Sequence, residues 1–429
     1  MPEFKQPNSE TEFSENFAQI KPLMTETEAY YESSRCLFCY DAPCVNACPT
    51  GIDIPLFIRQ INAKNETGAA KTIYDSNFFG HACGKVCPTE VLCEGACVYN
   101  NTDVKPIEIG RLQSFATAKA IRTNRKFYLP GKSNGKKIAV VGAGPAGISC
   151  ACELRMLGFD VDIFEAKEKP SGLTVHGVAP YKITNDEVLD EMKYLQGQFG
   201  FHIIYDKQVK SKDDLTILEN NYDAIFIGIG LGKTAELKIE GENLENVFGA
   251  VEFAERLRMN HHNVSLPKKV VVLGGGNTAM DAASESARMG AEVVLAYRRS
   301  REEMPAYDFE YDLAKSVGVK SIFNVAPVSI VGENGKVKGV RLKSTSTGEE
   351  ILELCDWIIK GTGQSKQVEL FKLANVATDE KGKIIVNDNF QTSNEKYFAA
   401  GDAVSGGEEV VNAVENGKKA AWGIKEFLK

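Results

Sequence analysis

The chain has no surplus of positive charge. Its 50 Lys and Arg face 58 Asp and Glu, a formal net charge of −8 over 429 residues. No basic face is therefore expected for nucleic acid or anionic lipid. Long apolar runs are missing too. "IAVVGAGPAGISCAC" is typical of the longest, and glycines break it, so no transmembrane helix is expected. The start, "MPEFKQPNSETEF", is polar and has no apolar core of the secretory kind. Five histidines are present, none with metal-ligand spacing. These absences point to the cytoplasm. The 43% hydrophobic and 25% charged residues suit a globular chain with a buried core. Its length suggests roughly two to four domains.

What the chain has in quantity is cysteine. Eleven are present, eight of them between Cys36 and Cys97. In a reducing compartment such crowding points to metal binding rather than disulfides. "RCLFCYDAPCVNACPTGIDI" carries Cys36, Cys39, Cys44 and Cys48, and "CGKVCPTEVLCEGAC" carries Cys83, Cys87, Cys93 and Cys97. Structural zinc sites pair short knuckles of similar spacing, and this pattern is more crowded. It resembles the bacterial ferredoxin run, in which the cysteine before proline ligates a second 4Fe–4S cluster. Cys48 precedes Pro49 and Cys87 precedes Pro88, so these two are expected to share a second centre. Counting alone assigns eight thiolates to two clusters, Cys83 included. The alternative is structural zinc, or cysteines buried as small apolar residues. The flanking segments are helical in pattern. Thr25 and Glu28 stand in capping-box register, and "DIPLFIRQINAKNETGAAKTIY" has apolar residues at helical spacing. Residues 1–125 are expected to form an α-helical domain around two clusters.

A linker rich in Gly, Pro, Ser and basic residues, "NRKFYLPGKSNGKK", comes next. Then an α/β region opens with "KIAVVGAGPAGISCACELRMLGFDVDIFEA". The turn runs from Gly142 through Ala143, Gly144, Pro145 and Ala146 to Gly147, between a strand pattern and a helix pattern. Glu165 ends the next strand, 23 residues after Gly142. Glycines permit a tight turn and close approach to a pyrophosphate, the helix N-terminus attracts its charge, and the acid holds ribose hydroxyls. This first site suits FAD. The motif repeats in "KKVVVLGGGNTAMDAASESARMGAEVVLAYRRS", with Gly274, Gly275, Gly276, Asn277 and Thr278 at the turn. Counting 23 from Gly274 lands on Tyr297, and Arg298 and Arg299 follow. The acid is missing and two guanidiniums stand where a 2′-phosphate would be, so NADPH is expected rather than NADH. "AIFIGIG" and "WIIKGTGQ" read as the closing strands of the two lobes, and the second delivers Thr362 and Gly363 to the NADPH site.

Near the end, "KYFAAGDAVSGGEEVVNAVENGKKAAWGI" brings Gly401 and Asp402 to a strand end and starts a helix after Val410. Asp402 can accept from flavin ribityl hydroxyls, and the helix N-terminus can stabilise negative charge on reduced flavin. Val209 is assigned to the FAD site with them. Chain order then places the NADPH lobe, 251–364, inside an FAD lobe made of 136–250 and 365–429. Cys150, Cys152 and Cys355 read as core, and no C-x-x-C in the NADPH lobe argues against a disulfide reductase. Hydride transfer from nicotinamide to flavin needs stacking rather than a side-chain acid or base, so no catalytic proton donor is expected.

Over its whole length the chain resembles the electron-input modules of dihydropyrimidine dehydrogenase and of the glutamate synthase small subunit. "SRCLFCYDAPCVNACPTGIDI", "CGKVCPTEVLCEGAC" and "IGRLQSFA" are most similar to the dihydropyrimidine dehydrogenase branch. That resemblance implies one cluster on Cys36, Cys39, Cys44 and Cys97. It implies another on Cys48, Cys87, Cys93 and Gln113, with Cys83 a bystander. It also implies flavin contacts at Gly172, Leu173 and Lys182. The family's Gly-Gly-Leu is Ser171-Gly172-Leu173 here, and its arginine is Lys182. The pyrimidine-reducing FMN barrel of the full-length enzyme is not in these 429 residues. The resemblance therefore implies a flavin subunit that passes electrons to an FMN-containing iron–sulfur partner reducing, or oxidising, uracil and thymine. The glutamate synthase small subunit is the alternative, and a zinc-binding, redox-sensing flavoprotein is the non-enzymatic one.

Overall fold

A computed structural model of the chain describes residues 4–429. The strands, in chain order, are β1 (Lys137–Val141), β2 (Asp160–Phe164), β3 (His202–Ile204), β4 (Ala224–Ile227), β5 (Val247–Gly249), β6 (Lys269–Gly274), β7 (Glu292–Ala296), β8 (Lys320–Ile322), β9 (Val325–Glu333), β10 (Lys336–Ser344), β11 (Glu350–Leu354), β12 (Trp357–Gly361) and β13 (Tyr397–Ala399). The chain forms two compact units.

One unit holds Lys21–Val175, Lys182–Leu231 and Lys366–Lys429. Its first part is helical. Thr25 and Glu28 form the expected capping box at the start of helix Glu26–Ser34. The apolar run after Asp53 becomes two helices, Ile54–Asn62 and Glu66–Ser76. They separate at Lys64, whose φ is +58°, and Asn65 then caps the second by accepting from the Gly68 N–H at 3.0 Å. A buried stripe of Ile54, Phe57, Ile58 and Ile61 packs the first helix inward. The α/β part of the unit is a parallel sheet in the order β13-β4-β1-β2-β3. Strand β1 is apolar and buried from Ile138 to Val141, as a strand covered by helices on both faces must be. Helix Val410–Phe427 lies so close to helix Pro145–Met156 that a side chain at Gly417 would run into the Ala146 carbonyl.

The other unit holds residues up to Ile20, His176–Tyr181 and Gly232–Ser365. It repeats the parallel order, β5-β12-β6-β7-β8, and adds an antiparallel sheet, β11-β10-β9. Two boundaries expected from the sequence move. Residues 232–250, placed in the FAD lobe by chain order, belong here, because β5 pairs with β12. Residues 4–20, placed in the cluster domain, also belong here. Phe13 and Phe17 are buried among Ala179, Tyr181, Leu257, Val264 and Met289, and Gln6 bonds the Val264 carbonyl at 3.0 Å and the Leu266 N–H at 3.0 Å. Polarity at the N-terminus concealed two aromatic anchors. Phe17→Ala is expected to destabilise this unit by ~3–5 kcal/mol, read as a lower urea midpoint.

Among the described residues no helix is long and apolar enough to cross a membrane.

Candidate functional site

The first glycine turn follows β1 directly. Gly142 has φ +100°, and a side chain there would sit 2.6 Å from the Gly228 carbonyl oxygen, just beyond β4. A side chain on Gly147 would strike the Gly142 carbonyl. Glycine is thus required twice, once for its dihedral and once for helix-to-strand packing. Gly144 caps helix Pro145–Met156 with Pro145 in its first turn, which leaves N–H groups facing outward for an anion. Glu165 is buried at the end of β2 and accepts from the Ala143 N–H at 2.8 Å and the Lys167 N–H at 2.9 Å. Gly172 approaches the same turn, its position for a side chain 3.1 Å from Gly144 Cα. Ser171 beside it has φ +80°, a left-handed backbone that glycine adopts without strain. The glycine at this place in the family pattern answers that geometry. Gly401, φ +69°, brings Asp402 to the start of the same helix, with a side-chain position 3.0 Å from Ala146 Cβ. Burial raises the Asp402 carboxyl above its ordinary range. Its Oδ1 accepts from the Glu408 N–H at 3.1 Å, and Val410 opens the following helix. Leu173 is half exposed and Lys182 is buried. Val209 has its side chain in the lobe's core beside Val141 and Ile227, so only its backbone is left to meet a ligand.

The second turn repeats the first. Gly274 has φ +146° and packs on the Gly361 carbonyl at the end of β12. Gly276 caps helix Asn277–Arg288 and has open space where a side chain would be, room that a phosphate needs. Thr278 is exposed on the first helical turn, while Asn277 Oδ1 accepts from the Tyr307 N–H at 3.0 Å. Thr362 and Gly363 are exposed and tied to Ala235, whose N–H donates to the Gly363 carbonyl at 2.8 Å. Tyr297 occupies the position that Glu165 holds in the first lobe. Its ring lies on Gly275 and its hydroxyl donates to the Glu303 carbonyl at 3.0 Å. Arg298 and Arg299 follow it and are exposed.

The cysteines sort into two groups. Cys36, Cys39, Cys44 and Cys97 line one cavity whose other walls are apolar, Ile54, Ile58, Ile107 and Ile109 among them. Burial pushes the Cys44 thiol up to about 12, and the neighbouring Cys36 and Cys97 add to it. The same order of causes, burial and then Cys39 and Cys97, raises Cys36 against a bond from the Phe38 backbone. Cys93 is raised by burial, then by Glu94, Cys87 and Cys48. Cys83 hydrogen-bonds Cys87 and is buried. Gln113 is buried on helix Ile109–Arg122, and its Nε2 donates to the Gly80 carbonyl at 2.6 Å. No donor reaches its Oε1 among the described residues. Among the described residues no three His, Cys, Asp or Glu side chains close on a single ion; the four thiols ring a cavity instead. That spread and the soft donor set fit a cluster of several irons.

The cysteine-bearing helices and the FAD cradle share one compact unit. Glu191, on helix Asn185–Phe199, is fully buried and accepts from the N–H groups of His81 (2.7 Å) and Ala82 (2.9 Å) and from the Tyr74 hydroxyl (3.2 Å). It therefore caps helix Gly80–Val86, which ends at Cys87. Glu191→Ala is expected to cost ~3 kcal/mol or more by stranding those donors and to lower the iron content; denaturant unfolding and iron analysis read the two effects. Sequence reasoning passed over Glu191, because a carboxylate that caps a helix from ~110 residues away has no local signature. It also passed over Gly228, though "GIGLG" and "GTG" mark the same place in the two lobes.

Residues 136–417 match the family model described as pyridine nucleotide-disulphide oxidoreductase. Residues 13–125 match one described as dihydropyrimidine dehydrogenase domain II, 4Fe-4S cluster. The NAD-dependent dihydropyrimidine dehydrogenase subunit PreT of Escherichia coli is 34% identical, over 96% of this chain and 97% of its own. The chain belongs to this family of flavin and iron–sulfur oxidoreductase chains. The glutamate synthase [NADPH] small chain of Escherichia coli is a relative too, 34% identical over 96% of this chain and 94% of its own. Among solved structures, Mycobacterium tuberculosis FprA in complex with NADPH shares the fold, with a TM-score of 0.57 at 18% identity, covering 68% of this chain and 84% of that one. The chain is an NAD(P)H-dependent oxidoreductase that takes FAD and 4Fe–4S clusters.

Proposed function

We propose that this chain is the electron-input subunit of a two-subunit, cytoplasmic dihydropyrimidine dehydrogenase. NADPH binds at the turn from Gly274 to Thr278, and FAD binds at the turn from Gly142 to Gly147 with Glu165, Gly172 and Asp402. Bound there, FAD would supply the exchange of a two-electron hydride from the nicotinamide for single electrons passed to the clusters. Cys36, Cys39, Cys44 and Cys97 hold one 4Fe–4S cluster. Cys48, Cys87, Cys93 and Gln113 hold the other. The observation that carries the reading is the sorting of the cysteines: four thiols, three from one stretch and Cys97 from another, ring one cavity. The cysteine-bearing helices and the flavin turn belong to one compact unit, which supports transfer between them. Electrons then leave through the clusters to an FMN-containing iron–sulfur subunit that reduces, or oxidises, pyrimidine bases.

The relatives divide on the nicotinamide. The dihydropyrimidine dehydrogenase subunits are named NAD-dependent and the glutamate synthase chain is named for NADPH. Arg298 and Arg299 support NADPH here. The test of function uses the isolated chain. It is expected to reduce dyes with NADPH and leave uracil and thymine untouched, and to form dihydropyrimidine once a bacterial FMN subunit is added. Dihydrouracil made by the chain alone would contradict the proposal. So would coupling to a glutamate synthase large subunit and not to the FMN subunit.

A further inference from the structure

Lys21 has no place in the sites described so far. Its side chain is only 15% exposed, unusual for a lysine. The Nζ lies 3.4 Å from the Cys87 carbonyl oxygen, 2.8 Å from Thr89 Oγ1 and 3.2 Å from Glu90 Oε1. The next residue is anchored as well, because Arg111 Nε donates to the Pro22 carbonyl at 3.0 Å. A flexible side chain able to reach water is instead folded over the loop that carries Cys87 and Cys93.

The charges around that loop are unequal in sign. Glu94, next to Cys93, is mostly buried and accepts from the Gly110 N–H at 2.9 Å. Glu90 and Glu94 put carboxylates on this loop, while Lys21 brings the cation.

We infer that Lys21 sets the reduction potential of the cluster held by Cys48, Cys87 and Cys93, raising it above what the surrounding carboxylates alone would give. The inference rests on the cluster assignment under Proposed function. A thiolate-ligated cluster is one charge more negative when reduced, so a fixed cation stabilises the reduced form more than the oxidised one. Burial keeps that effect from being screened by salt. Lys21 supplies only the field; one electron enters the cluster, and no bond of Lys21 changes. The bias draws electrons off the flavin site. Glu90, paired with Lys21, offsets part of it.

The experiment is an anaerobic potentiometric titration of the full chain with FAD and clusters bound, followed by EPR of the reduced clusters. Lys21→Met is expected to shift one cluster's potential negative and leave the other in place, and Lys21→Arg to restore it. The moving signal should be the one that Cys93→Ser alters. Glu90→Gln should move the same signal positive. An unmoved potential in Lys21→Met, no restoration by arginine, or a null or negative shift in Glu90→Gln would overturn the inference. If Lys21→Met loses a cluster, Glu90→Gln decides. The titration needs no partner and no pyrimidine, so a wrong partner assignment leaves its result standing. A shift confined to the other cluster would overturn the ligand assignment and the inference together.

Discussion

Cys83→Ala retains about eight irons per chain, the content of two 4Fe–4S clusters, and keeps full NADPH–dye activity, whereas Gln113→Leu loses or perturbs one cluster. That is the expected result if the amide at 113 is a ligand. Both groups stand near: Cys83 hydrogen-bonds Cys87, while Gln113 anchors its nitrogen on Gly80 and leaves its oxygen unbonded. An amide oxygen is harder than a thiolate and carries no charge. A cluster with three cysteines and a glutamine therefore has one negative charge fewer, which favours its reduced state. Gln113→Cys should accordingly shift that cluster's potential negative. Iron analysis and low-temperature EPR of the three variants check this. Loss of a cluster in Cys83→Ala, with Gln113→Leu intact, would restore the simple count of eight cysteines.

The second large effect lies in the nucleotide lobe. Arg298→Ala combined with Arg299→Ala should raise the Michaelis constant for NADPH ~10- to 150-fold, the equivalent of about 1.5–3 kcal/mol for lost charge-assisted bonds. The constant for NADH should barely change. The two lobes supply the contrast. At the end of β2 the buried Glu165 carboxylate holds the Ala143 N–H, while at the end of β7 Tyr297 is packed on Gly275 and gives way to two exposed guanidiniums. A wild-type chain that oxidises NADH as well as NADPH would show that the arginines are only solvated charges.

Much of the site was legible in the sequence because its chemistry is local. Gly142, Gly144, Gly147 and Glu165 fall at fixed spacing, since strand, turn, helix and strand are consecutive, and each glycine answers a contact within that unit. The same holds for Gly274 and Gly276. The capping box at Thr25 and Glu28 is a three-residue relation. Sequence alone thus determined the fold class, the two nucleotide turns and the cysteine-rich region.

Only the tertiary structure decided relations that close over long separations. It set Cys97 beside Cys36, Cys39 and Cys44, more than fifty residues earlier. It placed Lys21 on Cys87 and Glu191 on the helix before it. It moved residues 4–20 and 232–250 into the nucleotide unit. In each case the partner is chosen by packing, by which buried surface, donor or charge is left to be met once the local elements have formed, and spacing along the chain carries no record of that choice.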